Sequence, residues 1–361
     1  MFARVFLFAR RKRLTNAIVN ALKIKLAGAL PAQTRRDTES YDLYLKGRFH
    51  WNKRTTEALK KAIEYFKQAL EKEPDYALAY TGLADCFTSL GFSFDAGALS
   101  PSAAISKAKA AAKKAAEIND TLAETHTSLA FIKLNYDWDW SGAESEFKRA
   151  IQLNPNYDNA HHWYSHYLLA VGRTEESLVE SRRALELDRV GIVINLRLGW
   201  HYLFAREYDL AIDQFHKTLE MDQGYGLAHW YLGQAYGRKA MYREALMELH
   251  KAAEMLKQNM RVKAEIAHIH AISGKKGAAQ KVIKELTQLS EQKYVSSYHI
   301  ALIHTGLGEK DRAFECLEKA RNERSDSLVY LKIDPRLDDL RADPRFSNLL
   351  RRIGLETGNQ M

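Results

Sequence analysis

Residues Gly226–Lys257 read GLAHWYLGQAYGRKAMYREALMELHKAAEMLK. Two runs with helical spacing of apolar residues meet at a short polar turn around Arg238-Lys239-Ala240, and each run carries a small residue near its middle or start, Gly233 and Ala245. Working outward, the first of these small residues recurs as Ser165, Gly199, Gly233, Ala267 and Ala301, each step being 34 residues. The second recurs on the same step as Ser177, Ala211, Ala245, Ala279 and Ala313, with Phe215, Leu249, Ile283 and Leu317 four positions later. Two helices of about a dozen residues and their turns fill such a period, and a small residue where the axes approach lets bulky neighbours interlock. One pair cannot bury its own apolar faces, so the pattern predicts a stack of pairs in which neighbours share stability.

The copy at Gly226–Lys257, with Leu232, Gly233, Tyr236, Ala245 and Leu249, resembles a tetratricopeptide repeat. The resemblance implies an all-α, right-handed superhelix whose first helices line a concave groove, an interaction scaffold rather than an enzyme. Further strings, Tyr41–Gly47, Asp137–Trp140, Tyr330–Pro335 and Leu340–Phe346, are similar to the C-terminal tetratricopeptide region of large bacterial signalling proteins. In those relatives an N-terminal winged-helix domain, nucleotide cyclase or serine/threonine kinase precedes the array. That likeness implies a second role, the detached or truncated regulatory arm of such a system.

Upstream, three more pairs are expected. Tyr41–Trp51 is followed by Thr55–Glu71, and a pair beginning at Tyr76 is interrupted by the glycine-rich insertion Gly91–Pro101 before the alanine-rich Ser102–Ile118. A third pair runs from Leu122 to Leu153, with Asp137-Trp138-Asp139-Trp140 at its turn. Asp139 or Ser141 is expected to cap the next helix, and the two tryptophans either clamp the turn on a neighbour or form an exposed platform. The count is about eight pairs over residues 40–322. Residues 323–361 form a tail in which Asp334-Pro335 and Asp343-Pro344 start two short helices, expected to cap the last repeat.

The net charge of +9 sits at one end, because residues 1–36 hold nine basic side chains and no acidic one, and the remaining 45 basic and 45 acidic residues balance. A body without net charge argues against nucleic acid as partner. Within residues 1–36, Leu14, Ile18, Val19, Leu22 and Leu26 share one helical face. This basic amphipathic helix would pack on the first repeat, on an effector domain or on a membrane surface. No run approaches the roughly 20 apolar residues of a spanning helix, and no secretory leader is evident, so a cytoplasmic setting is expected. Cys86 and Cys316 form no metal or disulfide spacing.

Catalytic patterns are missing from the sequence. Gly224-Tyr225-Gly226 lacks the third glycine of a phosphate loop, and neither HExxH nor GxSxG occurs. No cofactor is expected. His162 and His166 have the four-residue spacing a metal can use, but no acidic or cysteine cluster is placed to complete the set. Projecting the first helices onto the groove that the resemblance implies selects Asn159, His162, His166, Trp200, Trp230, Gln234, His268 and Tyr298 as partner-facing, with Leu196, Ala264 and Leu302 beside them. Tryptophan and tyrosine are frequent binding anchors, and Arg197 and Arg238 would hold a partner's carboxylates. The tryptophans would equally serve as interhelix packing. The lysine and asparagine clamp of chaperone-binding relatives is not reproduced. The expected partner is a protein or peptide segment.

Overall fold

The computed structural model describes residues 38–53, 55–91, 101–257, 259–292 and 294–355. The basic segment 1–36 and most of the insertion between Gly91 and Pro101 lie outside the described residues.

Among the described residues, eight antiparallel helix pairs follow one another. They are α1 (Thr38–Trp51) with α2 (Thr56–Lys72), α3 (Ala77–Gly91) with α4 (Pro101–Ile118), and α5 (Ala123–Ile132) with α6 (Trp140–Leu153). Next come α7 (Asp158–Ala170) with α8 (Thr174–Leu187), α9 (Ile192–Phe204) with α10 (Tyr208–Met221), and α11 (Gly226–Arg238) with α12 (Tyr242–Met255). The last two are α13 (Met260–Ile272) with α14 (Lys276–Ser290) and α15 (Ser297–Leu307) with α16 (Lys310–Asn322). The chain ends in two 3₁₀ turns, Asp326–Tyr330 and Pro335–Leu340, and α17 (Pro344–Arg352).

The small residues of the 34-residue period sit where the sequence argument needs them. A Cβ added to Gly199 would lie 2.6 Å from Phe215, and one added to Gly233 would lie 2.6 Å from Leu249. Each glycine therefore admits the bulky residue of its own second helix. The turn obeys the same period. Trp138, Gly172, Arg206, Ala240, Gly274 and Gly308 all have positive φ. In five of these turns the next residue's N–H returns to a carbonyl five positions back: Arg173 to Leu168, Glu207 to Tyr202, Met241 to Tyr236, Lys275 to His270, Glu309 to His304. That is the Schellman closure of a helix C-terminus, and it fixes the angle at which the second helix leaves. Trp138 follows a π-helical segment, Lys133–Asp137, and Asp139 caps α6 by accepting from the Gly142 N–H at 3.0 Å.

A second device repeats between helices of a pair. His161 bridges the Glu180 carboxylate and the Pro155 carbonyl, Asn195 is reached by Gln214 and donates to Arg189, and His229 bridges Glu248 and the Gln223 carbonyl. These side chains are latches holding the start of each first helix to its partner helix and to the preceding turn. Their spacing of 34 residues accounts for His161 and His229 without a ligand.

First and second helices are buried differently. Along α12 only Ala245, Glu248, Leu249 and Ala252 are buried, a single stripe, whereas ten of the thirteen residues of α11 are buried. First helices form an inner layer covered on both sides. Outside lie the second helices, and inside, over the C-terminal pairs, lies the tail.

The tail packs on the last pair, where Leu328, Leu331, Leu337, Leu340, Phe346 and Leu349 join Tyr298, Leu302, Phe314 and Leu317. It also reaches well beyond that pair. Arg324 lies 4.3 Å from the Trp138 ring and donates to the Tyr136 carbonyl, Lys332 donates to the Val171 carbonyl, and Trp140 Nε1 donates to the Ile353 carbonyl at 2.8 Å. The Asp137–Trp140 turn is thus clamped against the C-terminal tail through contacts 188 and 213 residues apart in sequence. The solenoid curves until its third and eighth pairs meet through this segment.

Candidate functional site

Inside the curve lies a cavity of about 200 Å³, and every first helix contributes to its lining. From the N-terminal side come Trp51, Asp85, Ser128, Phe131 and Trp163; from the centre His166, Arg197, Trp200, Trp230, Tyr231 and Gln234; from the C-terminal side Arg261 and His299. The tail supplies Asp326, Tyr330 and Arg336.

The walls are aromatic. His166 stacks on Trp200 with ring centroids 4.9 Å apart, Trp200 meets Tyr330 edge-on at 4.9 Å, and Trp230 stacks on Tyr231 at 5.1 Å. Trp163 packs beside Phe131 at 4.2 Å. Such contacts fix ring orientation as well as bury area.

Most charges around the cavity are already neutralised. Asp85 pairs with Arg48 at 2.9 Å and accepts from Ser128, Asp326 pairs with Arg261 at 2.9 Å, and Arg336 spans Asp334 and Glu265. Arg197 differs. Its Nη1 donates to the Tyr231 hydroxyl at 3.3 Å, its guanidinium lies 5.7 Å from the Trp200 ring, and no carboxylate pairs with it among the described residues. Burial, the neighbouring His201 and His162 rings and Arg197 push His166 well below the usual imidazole range, so it is neutral. Burial, Arg261 and Arg336 do the same to His299. The buried Nε2 atoms of both rings lack a hydrogen-bond partner.

Of the residues selected from sequence, His166, Arg197, Trp200, Trp230 and Gln234 converge on this cavity. Trp200 and Trp230 are nonetheless only 4% exposed each and belong to the hydrophobic core, so they are walls and not projecting anchors. Arg238, His268 and Tyr298 face the tail. Arg238 donates to the Pro335 carbonyl at 3.2 Å and to His268 Nε2 at 2.9 Å, while His268 Nδ1 donates to the Leu302 carbonyl. This fixes His268 as a neutral tautomer, pushed down to about 3 by burial and by Arg238 and Arg336. The Tyr298 hydroxyl donates to Asp334 at 2.7 Å. Arg238 therefore holds the chain's own backbone in place of the partner carboxylate expected from sequence. Asn159 contacts only its neighbour Asp158 in the hydrogen bonds observed, and His162 is buried against Trp163 and His166. No group of three or more metal-ligating side chains assembles among the described residues.

Phe131, Trp163, Tyr231, Arg261 and His299 were not selected. Trp163 and Tyr231 adjoin projected positions, and widening the helical face by one residue would have included them. Tyr330 lies outside the period and carried no such signal.

Comparison with known proteins agrees with this architecture. The family model described as tetratricopeptide repeat matches residues 295–320. Over 204 residues the chain is 26% identical to the transcriptional regulator HilA of Salmonella typhimurium, covering 55% of this chain and 36% of the regulator. It is 23% identical to anaphase-promoting complex subunit 3 of Schizosaccharomyces pombe, over 38% of this chain and 20% of that one. The chain thus spans about a third of the length of the regulator it matches. Among solved structures, the APC/C hetero-tetramer Cut9–Hcn1 superposes with a TM-score of 0.56 at 16% identity, covering 82% of this chain and 52% of that one. The chain is an all-α tetratricopeptide-type solenoid, a fold that supports protein interaction in general. No described helix is long and apolar enough to cross a membrane.

Proposed function

From a tetratricopeptide-type solenoid with an occupied inner face, we propose that this chain is a non-enzymatic scaffold that holds a protein or peptide segment in its concave groove. The observation that carries this reading is the tail itself. Residues 326–340 lie along the inner helices and are held by Arg238 on a backbone carbonyl, by Tyr298 on Asp334 and by Glu265 on Arg336. The groove thus already accommodates polypeptide in cis, by side chains reaching both backbone and acidic groups. Because the tail fills the C-terminal half, a partner segment enters beside it, over Phe131 and Trp163 of the N-terminal pairs. Trp163 is half-buried, and so offers more surface than Trp200.

The similarity to a transcriptional regulator favours a second reading, in which the solenoid is the regulatory or sensory arm of such a system. The basic residues 1–36 would then contact an effector domain or a membrane surface.

A photoreactive phenylalanine analogue placed at Trp163, with Val179 on the outer face as the control position, separates inner from outer recognition. Val179 is 59% exposed on α8. Cross-linking of one discrete partner from position 163 and none from 179 is expected. Equal cross-linking from both positions would contradict groove recognition.

A further inference from the structure

We propose that the central cavity is a binding site for a small aromatic monocarboxylate, with its carboxylate on Arg197 and its ring against Trp163, Trp200 and Trp230. This goes beyond the scaffold reading and does not depend on it.

Size limits the occupant first. About 200 Å³ is below the roughly 300–1,000 Å³ that encloses drug-sized ligands, so the space suits one ring-bearing molecule or a single side chain. Wall chemistry narrows it further. Tryptophan and tyrosine faces dominate the centre of the cavity, which favours an aromatic or similarly flat apolar body.

Charge then selects the sign. The two carboxylates on the lining, Asp85 and Asp326, are consumed by Arg48 and Arg261. Arg336 is consumed by Asp334 and Glu265. Arg197 alone among these lining ions keeps a guanidinium edge for an incoming group, and its buried Nε has no partner. A guanidinium fork recognises a carboxylate through two parallel hydrogen bonds. Two further buried groups on the lining lack partners, His166 Nε2 from the central pairs and His299 Nε2 from the C-terminal side, and a polar end of the ligand would satisfy either. His166 also receives or donates the Tyr330 hydroxyl contact at 3.1 Å, so an occupant touching His166 lies against the tail. Ligand occupancy would consequently tighten the tail on the fourth and fifth pairs.

The same chemistry, an aromatic ring with a carboxylate, is presented by a free acid or by the C-terminal phenylalanine of a partner peptide. Isothermal titration of the full chain with indole-3-acetate, its neutral amide and a tetrapeptide ending in phenylalanine distinguishes them. The proposal expects the acid to bind at least tenfold more tightly than the amide, and Arg197→Met to lose at least tenfold in affinity with its melting temperature unchanged. Arg197→Lys, which keeps the charge but loses the fork, should fall between the two and serves if Arg197→Met does not fold. Binding of the peptide alone assigns the same site to a chain terminus. Equal binding of acid and amide, full binding by both Arg197 variants, or no binding of acid or peptide would overturn the proposal.

Discussion

Replacing Arg336 with methionine should unseat the tail. The guanidinium reaches Glu265 at 2.5 Å and Asp334 at 2.6 Å, and Asp334 also accepts from the Tyr298 hydroxyl at 2.7 Å. Side-chain exposures are 10% for Arg336, 3% for Glu265 and 1% for Asp334, so water cannot replace the lost partner. Burial alone would raise the Asp334 carboxyl, but the Arg336 charge and hydrogen bonds, with Tyr298, bring it down to about 2. Removing one member of such a set leaves buried charge uncompensated and costs about 3–5 kcal/mol. In a solenoid the loss stays with neighbouring units. Hydrogen exchange should therefore rise in the tail and in α13 to α16, while α1 to α4 keep their protection. The defect should shrink toward pH 5, because burial raises the Asp334 carboxyl once the Arg336 charge is gone, and it can then take up a proton. A triple change, Arg336→Met with Glu265→Gln and Asp334→Asn, should recover more than half of the loss, since it removes the charges together. A loss below about 1 kcal/mol, or exchange rising equally in the first two pairs, would refute the argument.

Ala240 has a φ of 58° at a turn position where Gly172, Gly274 and Gly308 occupy equivalent places, so Ala240→Gly should stabilise by about 0.5–1 kcal/mol and Gly274→Ala should cost a similar amount, both read by urea unfolding. Trp140→Phe keeps the ring but strands the Ile353 carbonyl, and should cost about 1–2 kcal/mol, seen as faster exchange at the C-terminal end of α17. Acidification should destabilise the chain. Burial lowers His166, His201, His268 and His299, the middle two of these to about 3, so between roughly pH 6.5 and that value the unfolded chain binds protons the folded chain refuses. The Glu146 hydrogen bond raises His126, and in His161 burial is outweighed by Glu180 and the Pro155 carbonyl; as pH falls, the stability these two add is gained above pH 6.5 and is already complete below it, so they do not offset the loss. Below pH 6.5 the four buried histidines contribute a loss of at most about 5.4 kcal/mol per pH unit, and burial lowers His50 and His270 as well. A melting temperature that stays flat or rises between pH 6.5 and 5 would contradict it.

The repeat was legible because it is written locally. Gly199 facing Phe215 and Gly233 facing Leu249 are contacts within one pair, and their spacing reports the architecture directly. The caps at Asp139, Asp334 and Asp343 were readable for the same reason, each acting on the next few residues. The groove was legible only in part. Helical phase brought His166, Arg197, Trp200, Trp230 and Gln234 to one surface, but phase cannot say what lies on that surface. Tyr330 and Arg336 come from outside the period, and their contacts with His166 and Glu265 join residues 164 and 71 positions apart. Nothing in local spacing encodes such closure, so residues expected to meet a partner meet the tail.

The central claim is that the C-terminal segment lies within the groove as part of the fold, and hydrogen exchange of the full chain tests it most directly. The amides of Leu328, Leu331, Ile333 and Asp334 are hydrogen-bonded within the tail, and the segment is buried against the inner helices. Protection of residues 326–340 comparable to that of α15 and α16 is the predicted result. Complete exchange of that segment within seconds, with α15 and α16 still protected, would contradict it.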